Sequence, residues 1–477
     1  MSTACTSTGL TSRACSVGWR GLGLAGLGIA NALLLVWGSA PDSGAARQLV
    51  AVMGGAGLGA SALLWIALER RFDCMPVACV LGLALVLRLI AMQASPLLED
   101  DHFRYLWDGL RTASGFDPYR LAPSAFFGNN DLPARWQDIL GGINNPDVPT
   151  IYGPLLQWLF ALAYWIAPGR LAAIQGLLLV ADMALLLVLV RQGVGARWLL
   201  SYAVHPLILK EAMASAHPDG LVALFLLLAL LAWQWRRAVW VGVLLGLAVG
   251  TKVAALVAVP LLIMRPRSPA INGTRINGPR WALGLGAGFA ATLALLYVPF
   301  ILAGGSDASA LATFGSQWRF NPLLYRIVEA AVPAAAARPF AALLIAAGTV
   351  AVVWHWRRNM RLAAAPALPP LDAALVLLLL LSPVVNAWYW LWALALSARL
   401  GRSWVAAGGV VAALSCINST VLSEAALWSG PEPAAPYLVP WPLALVQVLA
   451  LLGAFLVDKD RDRGWVRGRS SLPRVIA

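Results

Sequence analysis

A chain of 477 residues that is 60% hydrophobic and only 12% charged, with a mean hydropathy of +0.74, carries more apolar surface than a soluble fold of its length can bury. An ordinary soluble enzyme is therefore excluded. The net charge of +13 would point to nucleic acid in a soluble protein, but here the arginines gather in short segments between apolar stretches, as cytoplasmic loops do; no nucleic-acid partner is expected.

In hydrocarbon every backbone N–H and C=O must be paired within the protein, so spans are helices or closed barrels, and long Leu/Ala/Val runs select helices. The expected fold class is all-α: one integral-membrane domain over residues 1–477, a bundle with about 12 to 14 crossings. Apolar segments run near 20–37, 47–68 and 75–94, with Glu69, Arg70 and Arg71 between the last two. That charge pattern places the N-terminus and this loop in the cytoplasm. Gly38-Ser39-Ala40 after the first segment resembles a cleavage context, but further spans follow at once, and a retained anchor is expected. Residues 95–150 form the longest polar stretch, with acids in excess of arginines, and are expected outside the cytoplasm.

Arginines recur at 191 and 197, at 236 and 237, at 265, 267, 275 and 280, at 357, 358 and 361, and at 399 and 402, ahead of a charged tail from Asp458. If these are cytoplasmic, the turns opposite are external: 216–220, the neighbourhood of Lys252, 304–338, 382–390 and 423–437. Parity then makes 151–166 re-entrant or interfacial, and 239–263 two short segments bent at Gly250-Thr251-Lys252. Cys5, Cys15, Cys74, Cys79 and Cys416 show no ligand spacing, so neither a disulfide nor a metal site is assigned to them.

Residues 101–111 read as one amphipathic helix, because Phe103, Leu106, Trp107 and Leu110 recur at i, i+3, i+4 and i+7. Asp100, Asp101 and Asp108 lie three or four residues from Arg104 and can pair with it along the opposite face. Gly115 and Asp117-Pro118 end the element. Such a helix on the membrane surface would hold a carboxylate at headgroup level; alternatively Asp100 is an N-cap and the acids a solvated face.

The run from Glu99 to Gly109, followed by Gly115-Phe116-Asp117-Pro118-Tyr119, resembles the first extracytoplasmic loop of the GT-C class of glycosyltransferases, and more narrowly of bacterial polyprenyl-phosphate-sugar-dependent, mannosyltransferase-like enzymes. The resemblance continues through Ile151 to Leu155, His205 to Gly220, Lys252 and Pro383 to Trp392. It implies a lipid-phosphate hexose donor, with mannose favoured, a lipid or glycan acceptor, and an active site on the periplasmic or outer side of the cell membrane. It also implies an acidic first-loop residue as general base, matched by Asp101, with Asp100 as its neighbour; the two roles are interchangeable between adjacent acids.

Displacing a phosphate from an anomeric carbon needs a base near the attacking hydroxyl and donors or cations for the leaving group. Arg104, Tyr105, His217, Asp219, Lys252, Arg319, Trp388 and Tyr389 are the candidate substrate contacts. Each has a plainer reading. Lys252 can snorkel, His217 to Gly220 can simply start a helix, Arg319 can be a surface charge, and Trp388 and Tyr389 can belong to an interfacial aromatic belt. Asp182 and Glu211, within or beside apolar segments, are expected to face the protein interior. No nucleotide-binding glycine loop is present, and neither cofactor nor metal is expected, since Lys and Arg can neutralise a monophosphate. The rival function is a solute or lipid transporter, which would also use broken helices and intramembrane charge.

Overall fold

The computed structural model describes residues 18–264, 278–362, 368–402, 445–454 and 456. Arg265, Arg267 and Arg275, the 423–437 turn, the tail from Asp458, and Cys5, Cys15 and Cys416 lie outside the described residues. Cys74 and Cys79 are free thiols.

The fold is all-α, and among the described residues the β-structure is an isolated bridge between Phe320 and Val384. In chain order the helices are α1 (Gly18–Gly38), α2 (Ala45–Leu68), α3 (Val77–Ala91), α4 (Asp101–Ala113), α5 (Ala134–Gly141), α6 (Pro154–Ile166), α7 (Leu171–Arg191), α8 (Ala196–Ala203), α9 (Gly220–Gln234), α10 (Ala238–Thr251), α11 (Val259–Leu262), α12 (Gly278–Leu302), α13 (Ala308–Gln317), α14 (Tyr325–Ala331), α15 (Ala334–Leu362), α16 (Leu371–Leu381) and α17 (Leu391–Leu400). By length and composition α1, α2, α7, α12 and α15 can each cross a membrane. Seven further apolar helices have 10–17 residues, short of the ~20 that a straight span needs. Among the described residues the long and the shorter apolar helices together fit a polytopic bundle. Leucines on the long helices point outward, Leu295 at 78% and Leu302 at 82% exposed, which is how helices meet lipid rather than water.

The segment 151–166, expected to be re-entrant or interfacial, contains the 13-residue α6, with Pro154 at its first turn. The expected break at Gly250-Thr251-Lys252 is present: α10 stops at Thr251, Lys252 is extended (φ −146°), and Val253–Ala258 continues as a tighter 3-10 turn. α10 and α12 approach closely because Gly242 and Gly288 have no side chain; a Cβ at either would collide with the carbonyl of Leu285 or Val239.

α4 is a helix as its periodicity predicts, and Gly115 follows it at φ +77°. Its apolar face does not lie on lipid. Trp107, with Phe103, Leu106 and Leu110, packs on Trp136, Ile139 and Leu140 of α5, so the first long loop has a small core of its own.

A buried ion pair fixes the bundle interior. Arg88 Nε donates to Asp182 Oδ2 at 2.6 Å, Tyr202 donates to the other oxygen at 2.7 Å, and Arg88 Nη1 also reaches the carbonyl of Ala203 at 2.7 Å. Asp182 faces inward, as expected, and Arg88 is engaged as its partner.

Candidate active site

Five interruptions of helical structure converge: the α3–α4 junction, the 142–152 loop, the 215–219 stretch, the Lys252 break and the 382–390 segment.

Asp101 begins α4, and both its oxygens are held by side chains. Asn144 Nδ2 donates to Oδ1 at 2.9 Å, and the Tyr152 hydroxyl donates to Oδ2 at 3.0 Å. Two neutral donors stabilise and aim a carboxylate without neutralising it. Asp100 occupies the N-cap position, yet its side chain makes no capping bond and instead accepts from Asn144. Loss of solvent, and then the adjacent Asp101 carboxylate, raise the Asp100 carboxyl above its usual range. Of the two, Asp101 is the one aimed by two residues into the cluster.

The expected pairing of Arg104 with the acids along the surface of α4 is corrected: Arg104 is 6% and Asp108 1% exposed. Arg104 donates to the carbonyls of Val148 at 3.0 Å and Asn145 at 3.1 Å. Its guanidinium fork ties the 145–148 turn to α4, and so holds Asn144 against Asp101. Asp108 accepts from Gln157 at 3.1 Å. Gln157 Nε2 and the Tyr119 hydroxyl both donate to the carbonyl of Tyr152, and Gly153 lets this turn touch α10, where a Cβ would collide with the carbonyl of Gly250. The Tyr152 ring is thereby set between Asp101 and Lys252.

Lys252 Nζ lies 5.0 Å from the Tyr152 ring centroid and 5.5 Å from that of Tyr389, a cation between two aromatic faces. Its counter-charge is Asp219 Oδ1 at 3.9 Å, which also accepts from Trp392 Nε1 at 2.7 Å. Asp219 Oδ2 is buried and has no hydrogen bond. Burial pushes the Asp219 carboxyl up to about 6, with Lys252 opposing the rise. Lys252 and Tyr389 also line a cavity of about 400 Å³, otherwise walled largely by apolar residues such as Ile151, Val253, Phe314 and Val384.

Chain breaks deliver the remaining groups. Ile208–Ala214 is a widened π-helical stretch, which shifts the facing of Lys210 and Glu211. Ala216 then adopts φ +58°, a left-handed conformation that costs a residue with a Cβ about 1–2 kcal/mol. Beyond it the His217 ring stacks on Trp388 (centroids 3.8 Å, 10° between planes) and shares a hydrogen bond of 2.8 Å with the Tyr105 hydroxyl through Nδ1. Behind them Lys210 Nζ sits 2.9 Å from Glu99 and 3.0 Å from Glu211. Sequence reading assigned no metal ligands, yet Glu99, Glu211 and His217 bring ligating atoms within 4.8 Å of one another. The Lys210 ammonium already bridges the two carboxylates there.

Of the sequence candidates, Asp101, Tyr105, His217, Asp219, Lys252, Trp388 and Tyr389 are brought together, with Asp100 at the rim. Arg104 is adjacent but engaged with backbone. Arg319 is not part of the group: it ion-pairs with Glu329 at 2.5 Å and does not line the cavity, whereas Arg338 does. Asn144 and Tyr152 were missed as site residues; Tyr152-Gly153-Pro154 carried a signal, a close-approach glycine before a helix-starting proline, whereas Asn144 sits in a loop with none.

The N-terminal-domain profile of the α-(1→6)-mannopyranosyltransferase family matches residues 8–266. The chain belongs to this family. The match covers more than half of the sequence and contains every group from Glu99 to Lys252 just described, while the 382–392 aromatic segment lies beyond it. No curated protein and no solved structure matches. Membership makes the chain a membrane-associated glycosyltransferase of mannosyltransferase type, which disfavours the transporter alternative.

Proposed function

We propose that this protein transfers mannose from a polyprenyl-phosphate mannose to a hydroxyl of a lipid or glycan acceptor, in a GT-C-type site on the extracytoplasmic side of the cell membrane, releasing polyprenyl phosphate. The observation that carries the reading is the placement of the Asp101 carboxylate and the Lys252 ammonium on either side of Tyr152, beside an apolar cavity. A lipid-linked sugar phosphate has those needs: an apolar path for the isoprenoid, a cation for the phosphate and a base for the incoming hydroxyl.

Asp101 Oδ2 takes the acceptor's proton as its oxygen attacks the anomeric carbon and the bond to the phosphate oxygen breaks. Lys252 balances the charge that develops on the leaving phosphate, and Tyr389 and Trp388 offer ring faces to the sugar. A single displacement inverts the anomeric centre, so an α-linked product calls for a β-linked donor. Lys210 supplies a fixed positive charge in the acid cluster, and transfer is expected to persist in chelator.

The test is transfer from radiolabelled polyprenyl-phosphate mannose into membrane extract by purified wild type and Asp101→Asn. Transfer by wild type and its loss in a folded Asp101→Asn supports the reading; equal transfer by both removes Asp101 from the role of base.

A further inference from the structure

Asp307 does not serve the helix it begins. It occupies the N-cap position of α13, where an aspartate ordinarily accepts from the N–H groups of the first turn, yet its side chain makes no capping bond. Its Oδ2 accepts instead from the Tyr297 hydroxyl of α12 at 3.1 Å, and the residue is only 5% exposed. Asp307 lines the cavity that Lys252 and Tyr389 also line, and among the described residues of that wall it is the only acid. A carboxylate withdrawn from water into a largely apolar wall is costly unless donors meet it. Burial accordingly raises the Asp307 carboxyl above its usual range, with the Tyr297 hydroxyl opposing the rise.

The turn that carries Asp307 is held against the first long loop by Asp117-Pro118-Tyr119, a segment with no part in the chemistry proposed above. The Tyr119 ring meets Phe300 of α12 edge to face at 5.2 Å, while its hydroxyl donates to the carbonyl of Tyr152 at 2.9 Å. Gly305, which follows a left-handed Gly304 (φ +97°), abuts the Asp117 carboxylate, where a Cβ would collide with it. Tyr152, set between Asp101 and Lys252, is thus joined through Tyr119 to the end of α12, just ahead of Asp307.

We propose that Asp307 reads the sugar: its carboxylate accepts hydrogen bonds from hydroxyls of the donor hexose, whose phosphate lies at Lys252 and whose ring lies along Tyr389. The proposal rests on the polyprenyl-phosphate donor and adds to it the contact that tells one hexose from another. A carboxylate is an acceptor with two oxygens and about four lone-pair sites, so it can take two hydroxyls at once, whereas the Lys252 ammonium only donates. The cavity, at about 400 Å³, falls within the about 300–1,000 Å³ usual for small-molecule sites. A site built to bind a hydroxyl disfavours the analogue that lacks it, because its buried acceptor loses a partner.

The test measures equilibrium binding, so that turnover does not enter. Full-length protein carrying Asp101→Asn is placed in lipid nanodiscs with radiolabelled polyprenyl-phosphate mannose, and monodeoxy-mannose analogues of that donor compete for it. With Asp307 intact, at least one analogue should bind about 10- to 100-fold more weakly than the mannose donor. Asp307→Ala should weaken the mannose donor by a similar factor and bind it and that analogue equally. Asp307→Asn keeps the shape with an uncharged acceptor and should fall between, which keeps the test open if the alanine variant folds poorly. Unchanged donor affinity in both variants, or a deoxy penalty that persists undiminished in them, overturns the proposal. So does a raised acceptor KM at unchanged donor affinity when Asp307→Asn is assayed with Asp101 restored, because Asp307 then reads the acceptor sugar. If the protein with Asp307 intact binds no polyprenyl-phosphate mannose, the donor reading itself fails and the role of Asp307 falls with it.

Discussion

The Tyr152 hydroxyl donates to Asp101 Oδ2 at 3.0 Å while the face of the same ring lies 5.0 Å from Lys252 Nζ. One side chain thus couples the first long loop to the break after α10, and sets the distance between the candidate base and the candidate phosphate cation. Tyr152→Phe retains the ring and removes the donor. A hydrogen bond to a charged group contributes about 1.5–3 kcal/mol, so kcat should fall about 10- to 150-fold, with little change in the KM for polyprenyl-phosphate mannose. An unchanged kcat would show that Asp101 does not depend on this donor.

Asp100 and Asp101 separate by what holds them. Asp101→Asn should lower transfer about 10²- to 10⁴-fold. Asp100→Asn keeps an oxygen for Asn144 and should stay within about tenfold of wild type. The reverse order in the same transfer assay would exchange their roles.

Lys252 should act on donor affinity. Replacing it with Met removes a charge-assisted contact and should raise donor KM about 10- to 100-fold, and Lys252→Arg should recover part of it. Arg319→Ala, in contrast, should leave donor KM unchanged, because that guanidinium is paired with Glu329 away from the cavity. A large KM effect of Arg319→Ala would place the phosphate elsewhere.

The Asp219 carboxyl, pushed up to about 6 from 3.8, gives a pH signature with opposite signs for activity and stability. As pH falls through about 6 the group takes a proton, Lys252 loses its counter-charge, and transfer should decline along a limb that is absent in Asp219→Asn. For folding, the native state binds the proton more tightly than the unfolded chain. Asp219 therefore costs stability progressively as pH rises from about 4 to 6, and the cost is constant above that. Asp219→Asn should melt higher than wild type at pH 7.5 while transferring more slowly. A lower melting temperature would show that the charged form is stabilised.

Arg88 and Asp182 test the bundle rather than the chemistry. Removing one partner of a buried pair strands the other charge, at about 3–5 kcal/mol. Arg88→Leu should lower thermal stability sharply, and Arg88→Leu with Asp182→Leu should restore much of it. Activity per folded molecule should be retained in the double variant. Equal melting of single and double variants would mean the pair is not the source of the effect.

The class of fold was legible in the residues alone, because hydropathy and the backbone's need for internal hydrogen bonds are properties of local composition. The residues also determined α4 and its end at Gly115 through a 3.6-residue period, and they located the break at Lys252, where a charge interrupts an apolar run. They also marked most members of the candidate site: Lys252 as a charge that interrupts an apolar run, and Asp101, His217 and Asp219 through the motifs that resemble the GT-C class. How each charge is used emerges from the packing of distant segments. Arg104 sits at helical spacing from three acids, yet its guanidinium goes to the carbonyls of Asn145 and Val148, because its planar fork meets two converging acceptors there and an exposed i, i+4 contact is worth only about 0.2–0.5 kcal/mol. Arg88 found Asp182, 94 residues away, and Arg319 found Glu329. Asn144 and Tyr152 reach Asp101 across 43 and 51 residues. No local pattern encodes such distances, because they follow from how the broken helices pack.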